Sequence, residues 1–241
     1  MSTEEPLPAA LFAKEDAEDD ALFYRPPRLV THIDDAATVA LTAHYAARLR
    51  SGADVLDLMS SWVSHLPPDL ALGTVIGHGM NAPELAANPR LDRWWVQDLN
   101  RDPALPLADA SLDAVLCCVG VQYLQRPLEV FAEVRRVLRP DGIVVVSFSN
   151  RCFPTKAIAA WLSLDMGGRA GLVRLYLERA GFNGTSVEVL ADGSRGDPLV
   201  AVEGWARSQG PTGGRRIVPR VAPAGGPSGR GRPAAHALKD G

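Results

Sequence analysis

The sequence predicts an α/β domain built on a doubly wound, mostly parallel seven-stranded sheet with an antiparallel hairpin at one edge. Three observations predict it. Short apolar runs alternate with segments of helical periodicity, the pattern that crossover connections produce. The last two runs, 186–190 and 199–202, are separated only by the turn-rich Asp192-Gly193-Ser194-Arg195-Gly196, which marks a hairpin. The chain has 241 residues, enough for one continuous core, since single domains run to roughly 250 residues.

Each element follows in order. The first twenty residues hold the acids Glu4, Glu5, Glu15, Asp16, Glu18, Asp19 and Asp20 against Lys14, with Pro6 and Pro8. They read as a solvated, flexible acidic arm, residues 1–20, ahead of a domain over 21–207. Residues 34–49 are helical in character, with apolar Ala37, Leu41, Ala46 and Leu49 behind an acid pair that suits the positive end of a helix dipole. Buried-strand runs come next at 55–58, 74–76, 94–96 and 114–121. Pro127 opens a helix in which Leu128, Phe131, Val134 and Leu138 recur at three- and four-residue spacing. Pro140-Asp141-Gly142 turns the chain into the apolar strand 143–146. A helical region over 154–180 ends at Gly181. Residues 208–241 carry eight Gly and five Pro, with five Arg and Lys239 against Asp240, and show no periodicity. They read as a disordered tail; a basic docking arm is the sharper alternative.

Composition narrows the function. The chain is 46% hydrophobic and 22% charged, ordinary for a globular protein. A net charge of −3 supplies no electrostatic drive toward nucleic acid or an anionic membrane. Only 6% is aromatic, which argues against a stacking platform for single strands. Cys117, Cys118 and Cys152 include no C-x-x-C pair and no zinc spacing, and the first two lie in an apolar run, so they read as small core side chains. Glu4 and Glu5 stand where a signal peptide would be basic, and no apolar run reaches membrane-spanning length. A cytoplasmic protein is expected.

In an open parallel sheet, ligands bind beyond the carboxyl ends of the strands, where the strand order reverses. The residues standing there are Asp57-Leu58-Met59-Ser60-Ser61-Trp62-Val63, Gly77-His78-Gly79-Met80-Asn81, Gln97-Asp98-Leu99-Asn100 and Val119-Gly120-Val121-Gln122-Tyr123. The ordered set V-L-D-L, V-I-G, Q-D-L-N, L-P-L-A-D-A-S-L-D-A-V-L and E-V-x-R-V-L-R-P-D-G-I-V-V-V-S resembles the class I S-adenosylmethionine-dependent methyltransferases (the methyltransferase type 11-like group), which share a Rossmann-like fold. It covers roughly residues 49–182.

The resemblance implies a cofactor, S-adenosylmethionine, and a small-molecule acceptor. It implies that Asp57 lies near the cofactor's amino-acid end and that Asp98 accepts a hydrogen bond from the adenine amino group, with Leu99 beside it. Val119 and Gly120 would line the floor, and Asp113 would be structural. Two departures stand out. The family's G-x-G-x-G places hold Met59, Ser61 and Val63, and a β-branched valine suits a positive φ worst. Ser60 and Ser61 would cap a short helix or contact a carboxylate through their hydroxyls, with Trp62 as a further contact. The acid that holds both ribose hydroxyls corresponds to Gly79, next to Met80; His78, Asn81 and Glu84 are neighbours, none matching by position.

Two readings stay open: a methyltransferase with an unusual loop, and a non-catalytic protein of the same fold that binds a ligand or protein partner, with Trp62 packed under the N-terminal segment. A nicotinamide oxidoreductase is disfavoured, because no G-x-G-x-x-G follows the first strand. Tyr24, His32, Gln122 and Tyr123 are candidates to assist the reaction, and none is assigned as catalytic. The oligomeric state is not legible. If 208–241 lies outside the folded domain, truncation at Ser208 leaves the melting temperature nearly unchanged in differential scanning fluorimetry. A fall of several degrees would move the boundary.

Overall fold

The structure, a computed structural model, describes residues 6–207; the expected tail over 208–241 and the first five residues lie outside them. Seven strands form one sheet: β1 (Val55–Asp57), β2 (Val75–Gly79), β3 (Arg93–Val96), β4 (Leu112–Cys118), β5 (Leu138–Phe148), β6 (Asn183–Ala191) and β7 (Leu199–Trp205). Their order is β3-β2-β1-β4-β5-β7-β6. β3, β2, β1, β4 and β5 pair in parallel, while β7 runs antiparallel to β5 and to β6. The expected doubly wound sheet with an edge hairpin is therefore present. β1 sits where the order reverses, so the crevice above β1 and β4 is the place for a ligand.

Six α-helices cover the sheet: α1 (Asp20–Tyr24), α2 (Asp35–Arg48), α3 (Ala82–Ala87), α4 (Pro127–Val137), α5 (Ala159–Ser163) and α6 (Met166–Arg179). Strand alternation splits the core in two. Leu56, Ile76, Val115, Val144 and Val146 pack with Phe131, Trp161 and Tyr176 from α4, α5 and α6. Val55, Val75, Leu116 and Val145 face Leu41 and Tyr45 of α2. Adjacent Cys117 and Cys118 belong to opposite layers, and burial pushes both thiols upward, so they are packing residues. Asp34 caps α2 by accepting from Ala37 N at 2.8 Å. Asp113 is structural as expected: it accepts from Asp54 N at 2.9 Å and from Arg139 at 2.7 Å.

Several bounds differ from expectation. The long helical region over 154–180 is broken, because Asp165 caps a new helix by accepting from Gly168 N at 2.8 Å. β2 extends through His78 and Gly79, polar and small residues that hide a strand. β5 begins five residues before the apolar run, pairing Leu138 with Leu112 across a register shift.

The N-terminal segment is the larger correction. Residues 6–20 are no solvated arm: Leu7, Leu11 and Phe12 pack on the core, and Ala159 N donates to Ala13 O at 2.8 Å. Asp16, Asp19 and Asp20 are counter-ions, Asp19 to Arg101. Lys156, only 1% exposed, holds its Nζ 2.9 Å from Asp16 and 3.2 Å from Asp20, and Lys14 also pairs with Asp20. Acid-rich composition looks the same whether the charges meet water or a buried cation. Lys156→Met leaves these carboxylates short of a partner, and a loss of about 3 kcal/mol is expected in urea unfolding. A loss within the range of exposed pairs, about 0–1 kcal/mol, would return the segment to the solvent.

Candidate functional site

The carboxyl ends of β1 to β4 enclose a cavity of about 570 Å³. Of the residues proposed from sequence, Asp57, Ser60, Ser61, Gly79, Met80, Asp98, Leu99, Val119 and Gly120 all line it. Trp62 does not. Its indole Nε1 donates to Val30 O at 3.0 Å, so it holds down the segment before α2.

The loop after β1 is organised by a buried carboxylate. Asp57 is 7% exposed and accepts from the hydroxyls of Ser60, at 2.6 Å, and Ser64. Burial pushes its carboxyl up to about 6, against the opposing effect of both serines. Ser60 and Ser61 therefore cap no helix; residues 60–66 form none, and Ser61 Oγ donates instead to Glu84 at 2.7 Å. Asn88 on the far side donates to Ser61 O and Ser64 Oγ, both at 2.9 Å.

Of the three places that carry glycine in the family, only Met59 has a left-handed backbone, with φ of 58°. Val63 does not, so its β-branch meets no conflict. The strained β-branched residue is Val119, with φ of 45°, where β4 ends. Met59 packs on Gly120: a Cβ added there would lie 2.8 Å from Met59 Cβ and 3.0 Å from its Sδ. At Gly79 an added Cβ would lie 2.5 Å from Ser60 O. An acid therefore has no room at the position where the family's ribose carboxylate stands. Glu84, five residues further on in the first turn of α3, lines the same cavity.

Asp98 stands at the end of β3, half-buried. Its Oδ1 accepts from Asn100 N at 2.9 Å, and Oδ2 has no hydrogen-bond partner among the described residues. Tyr24, His32, Gln122 and Tyr123 line the cavity together, as the sequence reading allowed. Burial lowers the pKa of His32, and of His65 with help from His32, so both imidazoles are neutral at physiological pH. Arg28 and Phe153 were missed. Both line the cavity from loops, Arg28 before α2 and Phe153 after β5, where no periodicity marks them.

The strand order and the crevice define a methyltransferase-type Rossmann-like fold, and comparison with known proteins agrees. Residues 70–146 match the family described as "Methyltransferase domain". Over 61 residues the chain is 38% identical to a malonyl-[acyl-carrier protein] O-methyltransferase of Marinomonas sp., covering 25% of this chain and 23% of that protein. Over 123 residues it is 31% identical to an uncharacterized methyltransferase of Mycobacterium bovis, covering 50% of this chain and 45% of the relative. The matches thus span less than half the length of either relative. Among solved structures, the [4+2]-cyclase SpnF superposes with a TM-score of 0.57 at 17% identity, over 76% of this chain and 89% of that one, which is a likeness of fold. Together the family match over residues 70–146, the relatives and the strand order support a class I S-adenosylmethionine-dependent methyltransferase.

The Asp57 shift has a consequence for stability. A carboxyl whose folded-state pKa is raised stabilises the fold fully below its unfolded value, near 4, and that contribution is lost as pH rises through about 6. Between pH 4 and 7 the wild type is expected to lose about 1–3 kcal/mol relative to Asp57→Asn. Chemical unfolding of both proteins across that range checks it; parallel curves would refute the buried carboxylate.

Proposed function

We propose that this chain catalyses S-adenosylmethionine-dependent methyl transfer to a small-molecule acceptor. The observation that supports the reading best is the cavity of about 570 Å³ at the strand-order reversal, within the range of small-molecule sites, about 300–1,000 Å³. Its polar groups fit the cofactor. Asp98 would hold the adenine amino group on its free oxygen, with Leu99 packed beside it. Glu84, whose two oxygens already accept from Arg28 N and Ser61 Oγ, keeps a further lone pair on each for the ribose hydroxyls, since Gly79 has no room for an acid. Asp57, Ser60 and the end of β4 would border the amino-acid end.

When bound, the cofactor supplies an electrophilic methyl group on a sulfonium. The chain's share of the work is alignment and proton handling. An acceptor hydroxyl or amine has to lose a proton, and neutral His32 and His65 both line the cavity. His65 Nδ1 is buried without a partner among the described residues, so it is free to accept a proton in the tautomer that protonates Nε2. Among the described residues no helix is long and apolar enough to cross a membrane, and we place the reaction in the cytoplasm, with neither nucleic acid nor membrane as a partner.

The second reading is a non-catalytic member of the family. It is favoured by one feature, the Ser60 carbonyl against Gly79, which removes the family's position for the ribose acid. SpnF, called a cyclase, illustrates that this fold is not tied to one reaction. Calorimetry with S-adenosylmethionine and S-adenosylhomocysteine separates the two. Binding is expected, and Asp98→Ala is expected to weaken it by about 1–3 kcal/mol through loss of a charge-assisted contact. The variant should stay folded, because Asp98 lies at a strand end. A folded wild type that binds neither compound would favour the second reading.

A further inference from the structure

Two groups on residues that line the cavity lack a partner, and they describe what it would hold. Gln122 is 1% exposed and follows the end of β4. Its Nε2 donates to Val119 O at 2.8 Å, which sets the orientation of the amide. Oε1 is then left buried, on a residue that lines the cavity, with no hydrogen-bond partner of ordinary geometry among the described residues. A buried carbonyl oxygen of this kind asks for a donor.

Arg28 is the second such group. Two cavity-lining side chains are guanidinium groups, Arg28 and Arg151, and Arg151 is paired with Asp197 at 2.7 Å. Arg28 has no carboxylate partner among the described residues. Among the described residues its guanidinium donates hydrogen bonds only to carbonyl oxygens, Phe23 O at 2.9 Å and Pro26 O at 3.4 Å. Glu84 is taken by the backbone N–H of Arg28 rather than by its side chain, and Asp20 by Lys14 and Lys156. Arg28 also lies over aromatic faces, 4.5 Å from the Phe23 centroid and 5.4 Å from Phe153. Phe153 stacks 6.0 Å from Tyr123, the residue after Gln122, and Tyr24 stands 6.4 Å from Tyr123. Arg28 and Gln122 are thus joined by one aromatic wall. Flat apolar surface, an unpaired cation and an orphaned acceptor together select for one kind of molecule.

We propose that the methyl acceptor is a small aromatic acid, its carboxylate paired with Arg28 and its hydroxyl or amine donating to Gln122 Oε1. This rests on the methyl-transfer reading and names the substrate class that reading leaves open. Gln122 is here a positioning residue, holding the heteroatom that is to be methylated.

The test uses 4-hydroxybenzoate, 4-methoxybenzoate and phenol as probes, titrated by ligand-observed NMR into the full chain with and without S-adenosylhomocysteine. The wild type is expected to bind 4-hydroxybenzoate about five-fold more tightly than 4-methoxybenzoate, the worth of one neutral hydrogen bond. It should exceed phenol by about thirty-fold, the worth of a charge-assisted one. Gln122→Met should erase the first difference and spare the second; Arg28→Met should do the reverse. Equal binding of all three probes by the wild type overturns the proposal, and that comparison needs no variant to fold. Preferences that survive both substitutions overturn it too. Failure of the cofactor reading looks different: the probe preferences persist while S-adenosylhomocysteine neither binds nor changes them.

Discussion

His78 joins the ends of three strands through one ring. Its Nδ1 accepts from Met59 N at 3.2 Å, its Nε2 meets Gln97 O at 3.0 Å, and its own carbonyl accepts from Ser60 N at 2.6 Å. These contacts require a neutral imidazole with one nitrogen accepting and the other donating. Burial supplies that state by holding the pKa down to about 4. The loop after β1 and the turn after β3 are thereby held to β2, and the cavity takes its shape between them. A cationic His78 would turn an acceptor into a second donor facing a backbone N–H. The site's geometry therefore rests on the same burial that keeps this ring uncharged.

The loop explains the glycines around it. In a glycine-rich version the backbone approaches the ligand because the loop itself has no side chains. Here the loop carries Met59 and Ser60, and the missing side chains belong to the neighbouring strand ends. Gly120 makes room for Met59, and Gly79 makes room for the Ser60 carbonyl. Both departures from the family pattern are therefore one change. An aspartate placed at Gly79 alone would collide with the Ser60 carbonyl and leave the ribose position unrestored. The acid has to come from somewhere with room, and Glu84 in the first turn of α3 already bonds to the loop through Ser61.

The sheet was legible because its strands are apolar on both faces: V-L-D-L, I-V-V-V and the run into Cys117 announce burial whatever surrounds them. The strand-end lining of the cavity was legible for a related reason. Asp57, Asp98 and Gly120 sit at strand ends, and strand ends can be counted. What could not be read depends on distant partners. Trp62 and Val30 are 32 residues apart, and nothing local says that the indole turns toward that carbonyl. The same holds for Lys156 and its acids, and for Arg28, whose guanidinium is placed by rings from two loops. His78 was hidden because a polar residue at the end of a buried strand looks like the start of a turn.

The cavity thus has two halves made by different means. The strand-end half is tied into the core, with Leu99 3% exposed and Asp57 7% exposed. The other half is covered by residues 20–32, which carry little core of their own: Leu22, Leu29 and Val30 are 56–57% exposed. This segment is fastened mainly through polar contacts, by Asn81 Nδ2 to the carbonyls of Tyr24 and Arg25, by Glu84 to Arg28 N, and by Trp62 to Val30 O. Segments with few buried apolar contacts open at lower free energy than the sheet they lie on. Every one of those fasteners is rooted in the loop after β1 or the start of α3, next to the proposed cofactor position. A ligand that orders this loop would therefore also order the cover over the proposed acceptor position. The loop that replaces the glycines is the physical link between the two halves.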